Sequence, residues 1–175
     1  MNKTIIIYAT VDGQTQKISQ AIAQTLKSER CIVDLVRIDQ LQESQVAHYD
    51  KIIVASSIRY GKHNKQIIDF INRNTPLLST KKTAFVSVNL VARKAEKSSA
   101  TTNPYVVKFI RKIAWKPTVI QVFAGRIDYK LYSLRDRLII KLIMFITKGP
   151  MRSKEPIEYT NWDEVRQFSR NFAQL

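Results

Sequence analysis

The stretch "IIIYATVDGQTQKISQAIAQTL", residues 5–26, decides how this chain folds. Ile5-Ile6-Ile7-Tyr8 is apolar without alternation, the pattern of a strand covered on both faces. Ile18, Ile22 and Leu26 then recur at helical spacing, with Ala21 and Ala23 beside them. Six small or polar residues separate the two patterns, Thr10-Val11-Asp12-Gly13-Gln14-Thr15. Strand, tight turn and helix form the opening unit of an alternating α/β chain.

The same alternation continues downstream. Ile32 to Ile38 alternates apolar and polar, which predicts a strand nearer a sheet edge. Ile52-Ile53-Val54-Ala55 is a third strand, and Ile67, Ile68 and Ile71 fit a helix expected to end before Pro76. Ala84 to Val88 is a fourth strand. Tyr105 to Trp115 predicts a helix with Val106, Phe109, Ile110 and Ile113 on its apolar face, stopped by Pro117. Val119 to Ala124 is a fifth strand, broken by Gly125. Asn161-Trp162-Asp163-Glu164 offers an N-cap with Glu three residues on, and Val165, Phe168 and Phe172 line the last helix. The expected fold is a single α/β domain over residues 1–175, a flavodoxin-like doubly wound sheet of five parallel strands in the order 2-1-3-4-5. Residues 126–154 break the alternation and read as an insert.

A chain of 175 residues that is 45% hydrophobic can bury a good core and is not intrinsically disordered. The one cysteine, Cys31, permits no internal disulfide and suits a reducing compartment. The first residues lack the longer apolar region of a signal peptide, and no stretch has the ~20 uncharged residues of a membrane span. The formal charge is +15, with a net +6 in each of residues 92–116 and 126–154. Nucleic acid, an anionic membrane face, an anionic substrate or simply a basic soluble surface would each account for it.

Ligands of open α/β sheets sit beyond the carboxyl ends of the strands. Three strand ends here carry unusual residues. At Thr10 to Thr15, two hydroxyls and the backbone N–H groups of a helix N-terminus make an anion cradle, with Gly13 permitting close approach. The competing reading is a plain helix cap made by Thr15 or Asp12. In Ser56-Ser57-Ile58-Arg59-Tyr60-Gly61-Lys62-His63, Tyr60 can stack on an aromatic ligand and Gly61 permits a tight turn. In the third loop, which follows Val88, the backbone of Asn89-Leu90-Val91 can hydrogen-bond the polar edge of a planar heterocycle. His48 and His63 read as surface histidines. No grouping of His, Cys and carboxylates has metal-ligand spacing, so no metal is expected, and no nucleophile sits in a motif with a base.

Together the three loops resemble those of flavodoxin-like FMN-binding proteins, whose phosphate loop has the form Thr/Ser-x-Thr-Gly-x-Thr. Here that loop reads Thr10-Val11-Asp12-Gly13-Gln14-Thr15. Asp12 replaces a hydroxyl; a carboxylate facing a phosphate would repel it, so Asp12 is expected to point away and cap the helix. Longer strings, "DGQT", "ASSIRYGKH", "VSVNLVARKAEK", "AWKP" and "DRLIIKLIM", resemble the bacterial menaquinone-dependent protoporphyrinogen oxidase family over nearly the whole chain. The resemblance implies FMN as cofactor, held by Thr10–Thr15, Ser57–Gly61 and Val88–Val91. It implies oxidation of protoporphyrinogen IX to protoporphyrin IX in heme synthesis, with electrons passed to a membrane quinone, menaquinone or ubiquinone. It also implies a peripheral location on the cytoplasmic face of the inner membrane.

The insert agrees with that picture. Lys130, Arg137, Lys141 and Lys148 fall along one helical stripe, and Leu131, Leu134, Leu138, Ile139, Leu142, Ile143, Phe145 and Ile146 cover the rest. Such a helix is too short and charged to span a bilayer but suits an anionic membrane surface. Packing of its apolar residues on the core or on a second subunit is the alternative, and a homo-oligomer is compatible with the sequence. A porphyrinogen is an apolar macrocycle with two propionates; Arg59, Arg93, Lys94, Lys97, Arg137 and Lys141 are its candidate cations, with Leu138, Ile139 and Leu142 as candidate apolar contacts to substrate or membrane.

Four rival functions compete with this one. A flavodoxin electron carrier would not need a basic amphipathic insert. An NAD(P)H quinone reductase stays open. A response-regulator receiver needs a phosphoacceptor Asp after the third strand, where Ser56-Ser57 stands. A nucleic-acid module would use the charge, but the basic segments lack a reader motif, so no nucleic-acid partner is expected.

Overall fold

The computed structural model describes residues 2–130, 134–146 and 155–175. Its sheet is built from β1 (Lys3–Ala9), β2 (Ile32–Arg37), β3 (Lys51–Arg59), β5 (Lys82–Asn89) and β6 (Val119–Ala124), all parallel, in the order β2-β1-β3-β5-β6. The two-residue strand β4 (Lys62–His63) folds back antiparallel onto β3 and lies off this path. Counting only the five parallel strands, the order is the expected 2-1-3-4-5.

The apolar run that opens the chain forms β1 because both faces of the sheet are covered. Ile6 and Tyr8 point to one side, where α1 (Gln14–Ser28) and α5 (Trp162–Ala173) bring Ile18, Ile22, Leu26, Val165, Phe168 and Phe172. Ile5 and Ile7 point to the other, against Phe70 and Ile71 of α2 (Lys65–Ser79) and Phe109 of α3 (Pro104–Ile110). Asn161 caps α5 as the sequence predicts, accepting from the N–H groups of Asp163 and Glu164. Lys51 is buried at the start of β3; its ammonium donates to the carbonyls of Phe172 (3.3 Å) and Ala173 (2.8 Å) at the end of α5. That contact satisfies C-terminal helix carbonyls and places a cation where the helix dipole favours one.

The structure corrects two helix ends. Pro76 lies inside α2, which runs on to Ser79. Pro76 withholds only its own N–H from the helix ladder, and the fully buried Leu78 holds the last turn on the core. The helix expected to reach Trp115 stops at Ile110, where Lys116 Nζ turns back to donate to the carbonyls of Ile110 (3.0 Å) and Ile113 (3.4 Å). Ile113 and Trp115 remain in the core in irregular backbone after the helix.

The insert is an excursion closed at its base. β7 (Arg126–Ile127) pairs antiparallel with β8 (Ile157–Glu158), and α4 (Leu134–Ile146) lies between them. Ile127, Tyr129, Met144, Ile140, Leu90 and Tyr159 form a small core beneath α4. Leu131, Lys148 and the side chains of Ile143 and Ile146, all part of the expected amphipathic segment, lie outside the described residues.

His63 is also a correction. Rather than lying on the surface, it is buried in a ring cluster with Phe85 and Phe109, at centroid distances of 5.1 and 4.7 Å. His48 is exposed, as expected. Burial of His63 lowers its pKa to about 3, so the folded protein holds it neutral. An unfolded histidine protonates near pH ~6.5. The stabilisation is therefore complete above that pH and is lost as pH falls toward the folded value. Urea unfolding between pH 7 and 4.5 will show the wild type losing about 1.4 kcal/mol per pH unit more than His63→Gln; parallel curves would contradict this assignment.

Candidate functional site

Strand register assembles the site. Ala9 lies level with Ser56, Ser56 with Ser87, Ser57 with Val88, and Asn89 with Ala124. The residues that leave these strand ends therefore meet in one cleft. It is lined by the opening turn (Thr10, Asp12, Gln14, Thr15), the end of β3 with its hairpin (Ser57–Gly61), and Val88–Val91. The cavity measures about 260 Å³ and is walled on the insert side by Gly125, Arg126, Asp136, Ile139 and Ile140.

The opening turn is built as a cradle. Gly13 takes φ +83 as the N-cap of α1, and no side chain caps the helix. A Cβ at Gly13 would meet nothing within 4 Å, so backbone conformation, not space, requires glycine there. Thr10 Oγ1 accepts from the Gly13 N–H at 3.0 Å and closes the turn. Gln14 is anchored away from the turn, donating to Glu158 Oε1 (2.7 Å) and Thr160 Oγ1 (2.9 Å). Thr15 is 1% exposed, and its hydroxyl has no hydrogen-bond partner. A buried hydroxyl without a partner costs on the order of 1–3 kcal/mol. It lines the cleft beside the first N–H groups of α1, which have no intrahelical acceptor. These groups fit a phosphate.

Asp12 departs from the expectation that it caps the helix. Its carboxylate lines the cleft and pairs with Arg59 Nη1 at 3.2 Å. Burial raises its pKa, and the Arg59 guanidinium pulls it back part of the way. Arg59 is bracketed, because its Nη2 also pairs with Asp136 of α4. Tyr60 donates its hydroxyl to the same Asp136 carboxylate. Tyr60 and Gly61 both have positive φ, 50 and 75, the conformation of a two-residue hairpin turn twisted to match its strands. This turn leaves the Tyr60 ring 63% exposed at the cleft mouth.

A buried hydrogen-bonded chain sets the third loop. His63 Nε2 meets Ser87 Oγ at 2.9 Å, and Asn89 Nδ2 donates to that Oγ at 3.2 Å. Asn89 Oδ1 accepts from the Ala92 N–H (3.1 Å) and from Asn103 Nδ2 (3.0 Å). The Asn89 side chain is thus committed to holding the loop, leaving backbone to face a ligand.

The remaining sequence-predicted residues divide by place. Val11 and Gly13 belong to the turn but do not line the cavity, and Val11 is half exposed. Arg93, Lys94 and Lys97 lie outside the cavity wall; Arg93 Nη1 donates to the Leu90 carbonyl at 3.0 Å. Of the insert residues, Ile139 lines the cavity, while Arg137 and Lys141 are half-buried beyond it. Leu134, Leu138, Leu142 and Phe145 make an outward apolar stripe on α4, 79, 69, 59 and 69% exposed. Sequence reading missed Tyr105, Arg126 and Asp136. Arg126 pairs with Asp128 at 2.7 Å, yet its Nε is buried without a partner. Only the docking of the insert and of α3 brings these side chains to the cleft, and no local pattern signals it.

The chain has relatives along nearly its full length. It is 37% identical over 173 residues to the protoporphyrinogen IX dehydrogenase (quinone) of Escherichia coli (strain K12), covering 99% of this chain and 96% of that protein. It is 40% identical over 176 residues to the protein of the same name from Leishmania major, covering 99% of this chain and 75% of that one. Among solved structures, oxidised flavodoxin 2 from Bacillus cereus superposes with a TM-score of 0.60 at 17% identity, covering 98% of both chains. A short-chain flavodoxin associated with a bacterial microcompartment gives a TM-score of 0.59 at 11% identity, covering 99% of this chain and 98% of that one. These two likenesses carry the fold alone. Residues 5–154 match the flavodoxin domain family, Flavodoxin_5, and with its fold and its near full-length relatives this chain belongs to that family.

Proposed function

We propose that this protein is an FMN-dependent protoporphyrinogen IX dehydrogenase that passes electrons to a membrane quinone. The observation that carries the reading is the cleft at the strand ends, where the buried Thr15 hydroxyl waits at a helix N-terminus opposite apolar walls. It occurs in a chain 37–40% identical to proteins of that name. Thr10, Thr15 and the α1 amides hold the phosphate. The Asn89–Val91 backbone and Arg126 Nε meet the polar edge of the ring, and Tyr60 covers its open side. Bound FMN supplies hydride acceptance, so the protein needs no nucleophile. Leu90, Ile139 and Ile140 exclude water from the reacting face. Full oxidation removes six electrons from the porphyrinogen and so takes three two-electron turns.

The insert completes the reading. The exposed stripe Leu134-Leu138-Leu142-Phe145 lies in a segment of net charge +6, the composition of an interfacial helix. It supports peripheral contact with an anionic membrane, at the inner membrane's cytoplasmic face, where a quinone is within reach.

Mixing the FMN-loaded protein anaerobically with protoporphyrinogen IX and menaquinone tests the whole reading; porphyrin fluorescence will rise only when protein and quinone are both present. Titration of the apoprotein will give FMN binding at micromolar affinity or better. Thr15→Val will weaken it about tenfold, the loss of one hydrogen bond to a charged group. Replacing Leu138 and Leu142 together by Glu will abolish co-sedimentation with anionic vesicles while FMN affinity holds; vesicle binding that survived would remove α4 as the membrane element.

A further inference from the structure

The cavity is small for a tetrapyrrole. At about 260 Å³ it falls below the ~300–1,000 Å³ of sites that bury one drug-sized ligand. A tetrapyrrole laid on a flavin ring needs more. Ile139 and Ile140 of α4 wall the half-open cavity on one side, so a macrocycle admitted there would press α4 outward. Asp136 travels with α4, and Arg59 stays with β3.

Arg59 divides its two terminal nitrogens. Nη1 faces Asp12 of the opening turn, and Nη2 faces Asp136. The Arg59 and Asp136 side chains are 28% and 10% exposed, so their contact is shielded from solvent. Outward movement of α4 leaves Nη2 without its carboxylate, while Asp12 still holds Nη1. The proposed substrate carries carboxylates of its own. An arginine fork suits a propionate as well as it suits an aspartate.

We infer that Asp136 is a built-in stand-in for a substrate propionate, and that Arg59 selects the carboxylate-bearing tetrapyrrole by exchanging one for the other. The inference rests on the proposed dehydrogenase reading. Asp12 keeps Nη1 throughout, so the guanidinium stays aimed at the cleft while Nη2 changes partner. With the cavity empty, Asp136 and Tyr60 hold α4 down and the apolar walls together. With substrate present, the propionate takes the Nη2 position and α4 is freed toward the surface its apolar stripe faces. Arg59 is thereby a specificity residue, and Asp136 is its competitor.

Steady-state turnover of FMN-loaded protein on protoporphyrinogen IX and on its dimethyl ester tests the exchange. Arg59→Gln will raise the ratio of KM for the free acid to KM for the ester at least tenfold. Asp136→Asn will lower KM several-fold for acid and ester alike, because either macrocycle must displace Asp136 from Arg59. Arg59→Lys, which keeps the charge and loses the fork, will fall between wild type and Arg59→Gln and serves if the latter does not fold. If Arg59→Gln leaves that ratio unchanged, Arg59 does not read the propionate and the exchange is overturned. A rise in KM for the acid in Asp136→Asn overturns it as well. Wild-type protein that oxidises neither compound overturns the dehydrogenase reading itself, and this assignment with it.

Discussion

Parallel pairing of strands covered on both faces is the constraint on which the site depends. A one-residue slip of β1 against β3 would turn Ile5 and Ile7 into the layer built for Ile6 and Tyr8. Two complete helical layers hold the register, and so they hold the level at which β1, β3 and β5 end. The cleft is what remains where those strands stop and their helices have not yet begun. Its position follows from packing, while its chemistry belongs to the few residues at the strand ends.

Electrostatics then takes an unusual form for so basic a chain. The cradle that fits a phosphate contains no cation of its own and carries a carboxylate, Asp12. Arg59 makes this tolerable by reaching across from the neighbouring strand end. What the cradle offers an anion is hydroxyls and backbone dipoles rather than a compact ion pair. The excess charge is placed in the insert and in residues 92–116, where it can act on a surface or a substrate.

How much of this was legible in the sequence depends on how local each signal is. The five parallel strands were readable because buried runs such as Ile5–Tyr8 and Ile52–Ala55 have few other uses. The three loops were readable because they follow such runs directly. Pro76 misled because a helix-stopping signal was outweighed by the anchoring of Leu78. His63 misled because Lys62 and Gly61 beside it look like surface, whereas the β4 turn folds the histidine under α3. The Asp12–Arg59–Asp136 cluster joins residues 47 and 77 positions apart, and nothing in their neighbourhoods announces the meeting. Sequence patterns report what a residue does for its own element; this cluster exists only between elements.

The pairing of β7 with β8 has an architectural consequence. An excursion that leaves the sheet after Gly125 and returns at Glu158 to the point of departure disturbs no strand order and no helical layer. Its two ends meet as a hairpin stem, and the Gln14–Glu158 hydrogen bond ties that stem to the start of α1, beside the opening turn. A five-stranded parallel sheet can carry such an appendage and keep the geometry of its strand-end cleft. The appendage then supplies what the bare scaffold lacks, an apolar outer face and a wall that ends in a carboxylate.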